Sequence, residues 1–145
     1  MPFDYIDDIA TADVAFAARG DTVEEMFVAA ADATMNVMVA DLDTIAEAEQ
    51  RTLRADGNAD ALDLLLFDLL QELIFYKDAE QLLLRVKEVR IKREGVRLTL
   101  EADASGELLN PEKHDLVVDV KAVTLHRFKV EKTPRGWKAT VILDI

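Results

Sequence analysis

The side chains able to do chemistry in this chain reduce quickly to carboxylates, one lysine and the chain terminus. There are no cysteines, which removes disulfide frameworks, thiolate metal sites and cysteine nucleophiles together. The five glycines, Gly20, Gly57, Gly95, Gly106 and Gly136, are scattered through turn-like stretches and form no phosphate-cradling loop. Ser105 is the only serine, and its place beside Gly106 reads as loop rather than as a nucleophile's setting. His114 and His126 are the only histidines; they do not fall in a zinc-ligand spacing, and each is expected at the surface or at a strand end. What is left is Asp13 at the start of one alternating stretch, Asp144 and Ile145 at the end of another, and Lys121.

Charge narrows the partners. The formal net charge is −12, and residues 1–50 hold 12 acidic side chains against one basic one, Arg19, whereas residues 51–145 hold 17 acidic and 16 basic. Tight binding to nucleic acid is driven by basic residues that displace counterions from phosphates. An acidic N-terminal third therefore argues against direct, high-affinity RNA binding and for a partner protein with a basic surface. No apolar run approaches the roughly 20 residues that span a bilayer. The opening residues, MPFDYIDDIA, are acidic without a basic region, unlike a secretory signal. A cytoplasmic chain with no membrane attachment is expected.

The elements that must position these residues follow from periodicity. Residues 3–7 read as a short strand, and residues 13–19 as a second with Val14, Phe16 and Ala18 on one face and Asp13 and Arg19 on the other. After Gly20, Asp21 is expected to cap a helix over 22–39, with Glu24 completing a capping box. Its methionines, Met26, Met35 and Met38, read as core filler. Residues 45–55 read as a strand and Asp56-Gly57-Asn58 as a turn. Leu62, Leu65, Leu66, Leu69, Leu70, Leu73 and Ile74 then fall at the spacing of one helical face.

Beyond Asp78 the period changes to two. Leu82, Leu84 and Val86 share one parity while Val89 and Ile91 take the other, which predicts a bulge at Lys87-Glu88. Glu94-Gly95 reads as a hairpin turn, with Val96, Leu98, Leu100 and Ala102 facing inward on the returning strand. Residues 105–113 read as a loop, followed by extended stretches at 116–124, 127–132 and 137–145. The order predicts a single α+β domain over residues 1–145, a mostly antiparallel sheet covered by two main helices.

Three stretches carry a family resemblance. They are Tyr5 to Gly20 (YIDDIATADVAFAARG), Leu69 to Phe75 (LLQELIF), and a C-terminal third containing VKAVTLH at Val120 to His126 and ending WKATVILDI at Trp137 to Ile145. In order, spacing and length the chain resembles the archease family throughout. It departs where archeases place an acidic residue and a histidine before Thr-Ala-Asp, since Ile9-Ala10 stands there; Leu69 and Leu125 stand where aromatic residues are common.

The resemblance implies a divalent metal bound through Asp13, Asp144 and Ile145, with calcium the first expectation and magnesium or manganese the alternatives. The residues agree: an all-oxygen set suits hard cations. Lys121, and with it His126, is implied as a contact to a partner's active centre or nucleotide. The implied function is that of a non-catalytic accessory protein of an RtcB-type tRNA ligase, promoting its guanylylation and repeated turnover in tRNA splicing or RNA repair. Chaperone-like modulation of a tRNA methyltransferase is the alternative. A small metal-dependent hydrolase using Asp13, Asp144 and Lys121 is a third reading, weakened by the lack of an evident general base near neutral pKa.

Overall fold

The computed structural model describes residues 2–6 and 13–145. In chain order the elements are β1 (Phe3–Ile6), β2 (Asp13–Gly20), α1 (Val23–Met38), a 3-10 turn (Leu42–Thr44), β3 (Glu49–Asn58), α2 (Leu62–Glu80), β4 (Leu82–Glu94), β5 (Arg97–Leu108), β6 (Ala122–Thr133) and β7 (Gly136–Asp144). The strands form two antiparallel sheets, ordered β1-β2-β7-β6 and β3-β5-β4. Each helix touches both sheets, α1 through β2, β7 and β4, α2 through β6, β3 and β4. The apolar faces of all four layers therefore meet in one core. This is the α+β arrangement that the alternation of periods predicts, with the strands divided between two sheets.

Helix α1 starts one residue later in its cap than expected. Thr22, not Asp21, is the N-cap, its hydroxyl accepting the Glu25 amide at 3.1 Å. The Glu25 carboxylate reaches back to the Asp21 amide at 2.9 Å, so the reciprocal acid is Glu25 rather than Glu24. The offset has a steric origin. Gly20 ends β2 directly against the helix, where an added Cβ would lie 2.4 Å from the Met26 nitrogen, and the chain turns only after it. Met26, Met35 and Met38 are buried as expected.

Helix α2 buries Leu65, Leu66, Leu69, Leu70, Leu73 and Ile74 on one stripe. Each such side chain contributes about 1.5–3 kcal/mol on burial. The bulge in β4 is where parity places it: Val86 pairs with Ala104 and Glu88 with Asp103, leaving Lys87 between them. Val86 and Val89 are thereby both turned into the core. Gly95, at φ +61, makes the β4–β5 hairpin with Val96. Val96 is consequently a turn residue and 72% exposed, and the inward set begins at Leu98.

Other boundaries differ from expectation. β3 begins at Glu49 because Asp41 caps the preceding 3-10 turn, accepting the Asp43 amide at 3.0 Å. Asp56, Gly57 and Asn58 continue β3 by pairing with β5 as far as Asn58 opposite Arg97, and the turn comes after them. Ser105 and Gly106 are buried in β5 rather than in a loop. Gly106 is required by close approach, since a Cβ there would fall 1.7 Å from the Leu83 carbonyl oxygen.

The largest difference concerns residues 116–132. Leu116 forms a single bridge with Val39, residues 117–121 join no strand, and β6 then runs unbroken from Ala122. Its register breaks between Thr124, opposite Ile142, and Lys129, opposite Thr140. Three extra residues bulge there, with Arg127 in the left-handed region at φ +53.

Candidate functional site

Antiparallel pairing of β2 and β7 puts Asp13 directly opposite Asp144, and on the far side of Asp144 the same rung is completed by Ala122 of β6. Residues paired in this way carry Cβ atoms about 4.5–5.5 Å apart on one face of the sheet. Both aspartates are half-buried, as is Ile145, which packs against the core. Two like charges facing each other at this spacing repel, and the third strand supplies only alanine to the rung. Among the described residues no three acidic, histidine or cysteine side chains come close enough together to hold a metal ion. Among the described residues the cluster is thus two side-chain carboxylates, with Ile145 next in sequence. Ile9-Ala10 and Thr11-Ala12 lie outside the described residues.

Lys121 stands at the same end. Its amide donates to the Asp144 carbonyl at 2.8 Å, one residue before β6 begins, and its side chain is exposed. Asp119, of the same parity, does not pair with it. Asp119 instead accepts from Lys77 of α2. His126 is exposed in the β6 bulge, four residues beyond the Ala122 rung.

The segment carrying Lys121 is held by two α2 side chains that periodicity alone passed over. The Lys77 ammonium donates to Asp119 and to the Val120 carbonyl at 2.8 Å, and it is ion-paired with Asp78 at 2.6 Å. Desolvation pulls its pKa down, but the bonds to Asp119 and Asp78 outweigh this and hold it above the ordinary lysine value. Gln71 accepts the Val123 amide at 3.0 Å on the other side of Lys121. The signal was present in the sequence: Lys77 extends the leucine stripe, four residues after Leu73, and a lysine there must find acceptors.

His114 corrects an expectation. It is 2% exposed, not at the surface, and its Nδ1 accepts the Asn110 amide at 2.9 Å. Nε2 therefore carries the hydrogen and donates to Glu107 at 2.9 Å. Glu107 also accepts the Ala46 amide at 3.0 Å and Lys113 at 2.6 Å. These donors, the Ala46 amide foremost, hold its pKa well below the usual carboxylate range, at about 2. The group is a loop clasp, remote in the sequence from the Asp13–Asp144 rung.

The helix-covered pair of sheets has counterparts among known proteins. The model of the archease protein family matches residues 3–145. The archease of Pyrococcus abyssi is 39% identical over 136 residues, covering 93% of this chain and 94% of its own. The archease of Methanosarcina mazei is 38% identical, covering 93% and 91%. That of Methanopyrus kandleri is 35% identical over the whole of both chains. The solution structure of Methanobacterium thermoautotrophicum protein 1598 superposes with a TM-score of 0.84 at 35% identity, covering 99% of each chain. A crystal structure from Thermotoga maritima, described as an archease and possible chaperone, shares the fold with a TM-score of 0.55 at 22% identity, covering 94% of this chain and 93% of its own. Fold and sequence together define a small α+β protein of the archease type. The chain belongs to the archease family.

Proposed function

We propose that this chain is an accessory protein of an RtcB-type tRNA ligase, promoting guanylylation and repeated turnover of the ligase in the cytoplasm, and that it catalyses no reaction itself. The observation that carries the reading is the Asp13–Asp144 rung with Lys121 beside it, in a member of the archease family. A divalent cation held by these carboxylates would relieve their repulsion, and an all-oxygen donor set suits calcium first, or magnesium or manganese. Asp13 and Asp144 would hold the ion from two strands, and the carboxyl group of Ile145 would add an oxygen. Such an ion supplies positive charge that a phosphate or a polarised oxygen can use.

Lys121 presents a mobile point charge at the same end, suited to a phosphate of the partner's nucleotide. His126, in the β6 bulge, is a further contact. The net charge of −12 favours a protein partner with a basic surface over RNA itself. The test is ligase guanylylation with GTP and manganese, with the purified chain added below the ligase concentration. A faster reaction is expected, while the chain alone joins no RNA ends. Unchanged guanylylation sinks the reading, and phosphoester cleavage by the chain alone would replace it with a hydrolase using Asp13, Asp144 and Lys121.

A further inference from the structure

Upstream of Lys121 the chain exposes three consecutive apolar residues, Leu116 at 40%, Val117 at 58% and Val118 at 40%. Exposed apolar residues scattered singly are ordinary, whereas a contiguous run in a fixed conformation marks a surface that meets something. This run is fixed. Leu116 bridges Val39, the Val117 amide donates to the Met38 carbonyl at 2.9 Å, and the Ala40 amide donates to the Asp115 carbonyl at 2.9 Å. At its other end Lys77 grips Asp119 and the Val120 carbonyl. The run walls a cleft of about 260 Å³ with Met38, Leu83 and Leu109. That volume falls short of the roughly 300–1,000 Å³ of small-molecule sites, and suits a side chain or two.

The charge around the cleft selects the occupant. Lys77, in the cleft lining, is committed to Asp78 and Asp119, and Lys113, three residues before Leu116, to Glu107, while Lys121 lies beyond the far end of the run. Asp41, Glu112 and Asp115 are exposed and enter no salt bridge among the described residues, and the Ala40–Asp115 bond brings two of them together. An apolar cleft with an acidic rim complements an apolar anchor residue flanked by arginine or lysine. We infer that the cleft walled by Leu116, Val117 and Val118 docks such an anchor on the surface of the partner protein. This deepens the ligase reading and rests on it: a partner seated here has Lys121 and Asp144 within a few residues of its edge.

The test measures binding of the full chain to its host's RtcB-type ligase by calorimetry at low and high salt. Val117→Ser removes apolar contact at an exposed position and should weaken binding about tenfold at both salt concentrations. Asp115→Lys should weaken binding severalfold at low salt and little at high salt, where the rim charge is screened. Val96→Ser, in the β4–β5 turn, should bind like the wild type, and calcium affinity should be unchanged in all three variants. If the wild type binds and both cleft variants bind equally well, the docking surface is wrong and the ligase reading stands. If the wild type does not bind the ligase, both are overturned.

Discussion

Asp13 and Asp144 stand on one rung of the sheet, although 130 residues of chain separate them, because β2 and β7 pair antiparallel along their whole length. Among the described residues the only further member of the rung is Ala122, which brings no charge to relieve the facing carboxylates. A fold keeps such a contact at some cost to itself, typically a fraction of a kcal/mol for a facing pair.

Changing Asp13→Asn preserves shape and removes one of the facing charges. Calcium affinity measured by calorimetry should fall at least tenfold, and ligase stimulation should fall with it. Without metal, the variant should melt at the wild-type temperature or slightly above, because repulsion is relieved and the residue is only half-buried. A variant that binds calcium and stimulates ligation normally would take Asp13 out of the site.

The proposed site takes its third oxygen donor from the carboxyl group of Ile145, next to Asp144 in sequence. Extending the chain past Ile145 with a tag converts that carboxylate to a neutral amide carbonyl and crowds the rung, whereas an N-terminal tag does neither. Calcium titration should show weaker binding for the C-terminally extended form, with similar thermal stability of both forms in chelator. Equal affinities would show that the carboxylate of Ile145 is not a ligand.

How much of this was legible in the sequence depends on how local each feature is. The bulge at Lys87 and the leucine stripe of α2 were legible because a change of parity and a helical spacing are written into neighbouring residues. That Asp13 lies on the face opposite Phe16 was legible in the same way, but not that this face also buries Ala15, Ala17 and Ile142, nor the pairing of Asp13 with Asp144, because alternation gives faces and never register between distant strands. Residues 117–121 alternate like a strand yet join none, since α1 and Lys77 take up their backbone where a neighbouring strand would be needed. His114 was misplaced for a related reason: its burial comes from Asn110 and Glu107 closing a loop around it, and neither shows a period. The Asp21–Glu24 cap missed by one residue because Gly20, pressed against α1, delays the turn.

Glu107 predicts an acid-sensitive clasp. Its folded-state pKa of about 2 lies below the ordinary 4.5, so its contribution to stability is present above about pH 4.5 and is lost as pH falls through 2. Wild-type stability followed by denaturant titration should decline across that window. Glu107→Gln should be less stable at pH 7, because a neutral amide holds Ala46, Lys113 and His114 more weakly. Its own decline between pH 4.5 and 2 should be shallower. A variant whose stability falls with pH as steeply as the wild type's would assign the acid loss to other carboxylates.

Lys77 ties α2 to the strand segment that leads into the Asp144 rung, and replacing it separates stability from positioning. Lys77→Met keeps the length of the side chain and fills the same buried space, but the Val120 carbonyl loses its donor. Asp78 and Asp119, both exposed, are left to water and cost little. A loss of about 1–2 kcal/mol follows from one buried acceptor left unpaired, partly offset by the apolar replacement. The local effect should be larger than the global one. With Asp119 and Val120 released, only the Lys121 amide bond to Asp144 and the Gln71 bond to Val123 still fix the segment, so amide hydrogen exchange should accelerate at residues 119–121 well beyond the change in global stability. Exchange in the body of α2 should rise only as far as global stability falls. Equal acceleration throughout the chain would make Lys77 an ordinary core residue, whereas acceleration confined to 119–121 identifies it as the tie that sets Lys121 beside Asp144.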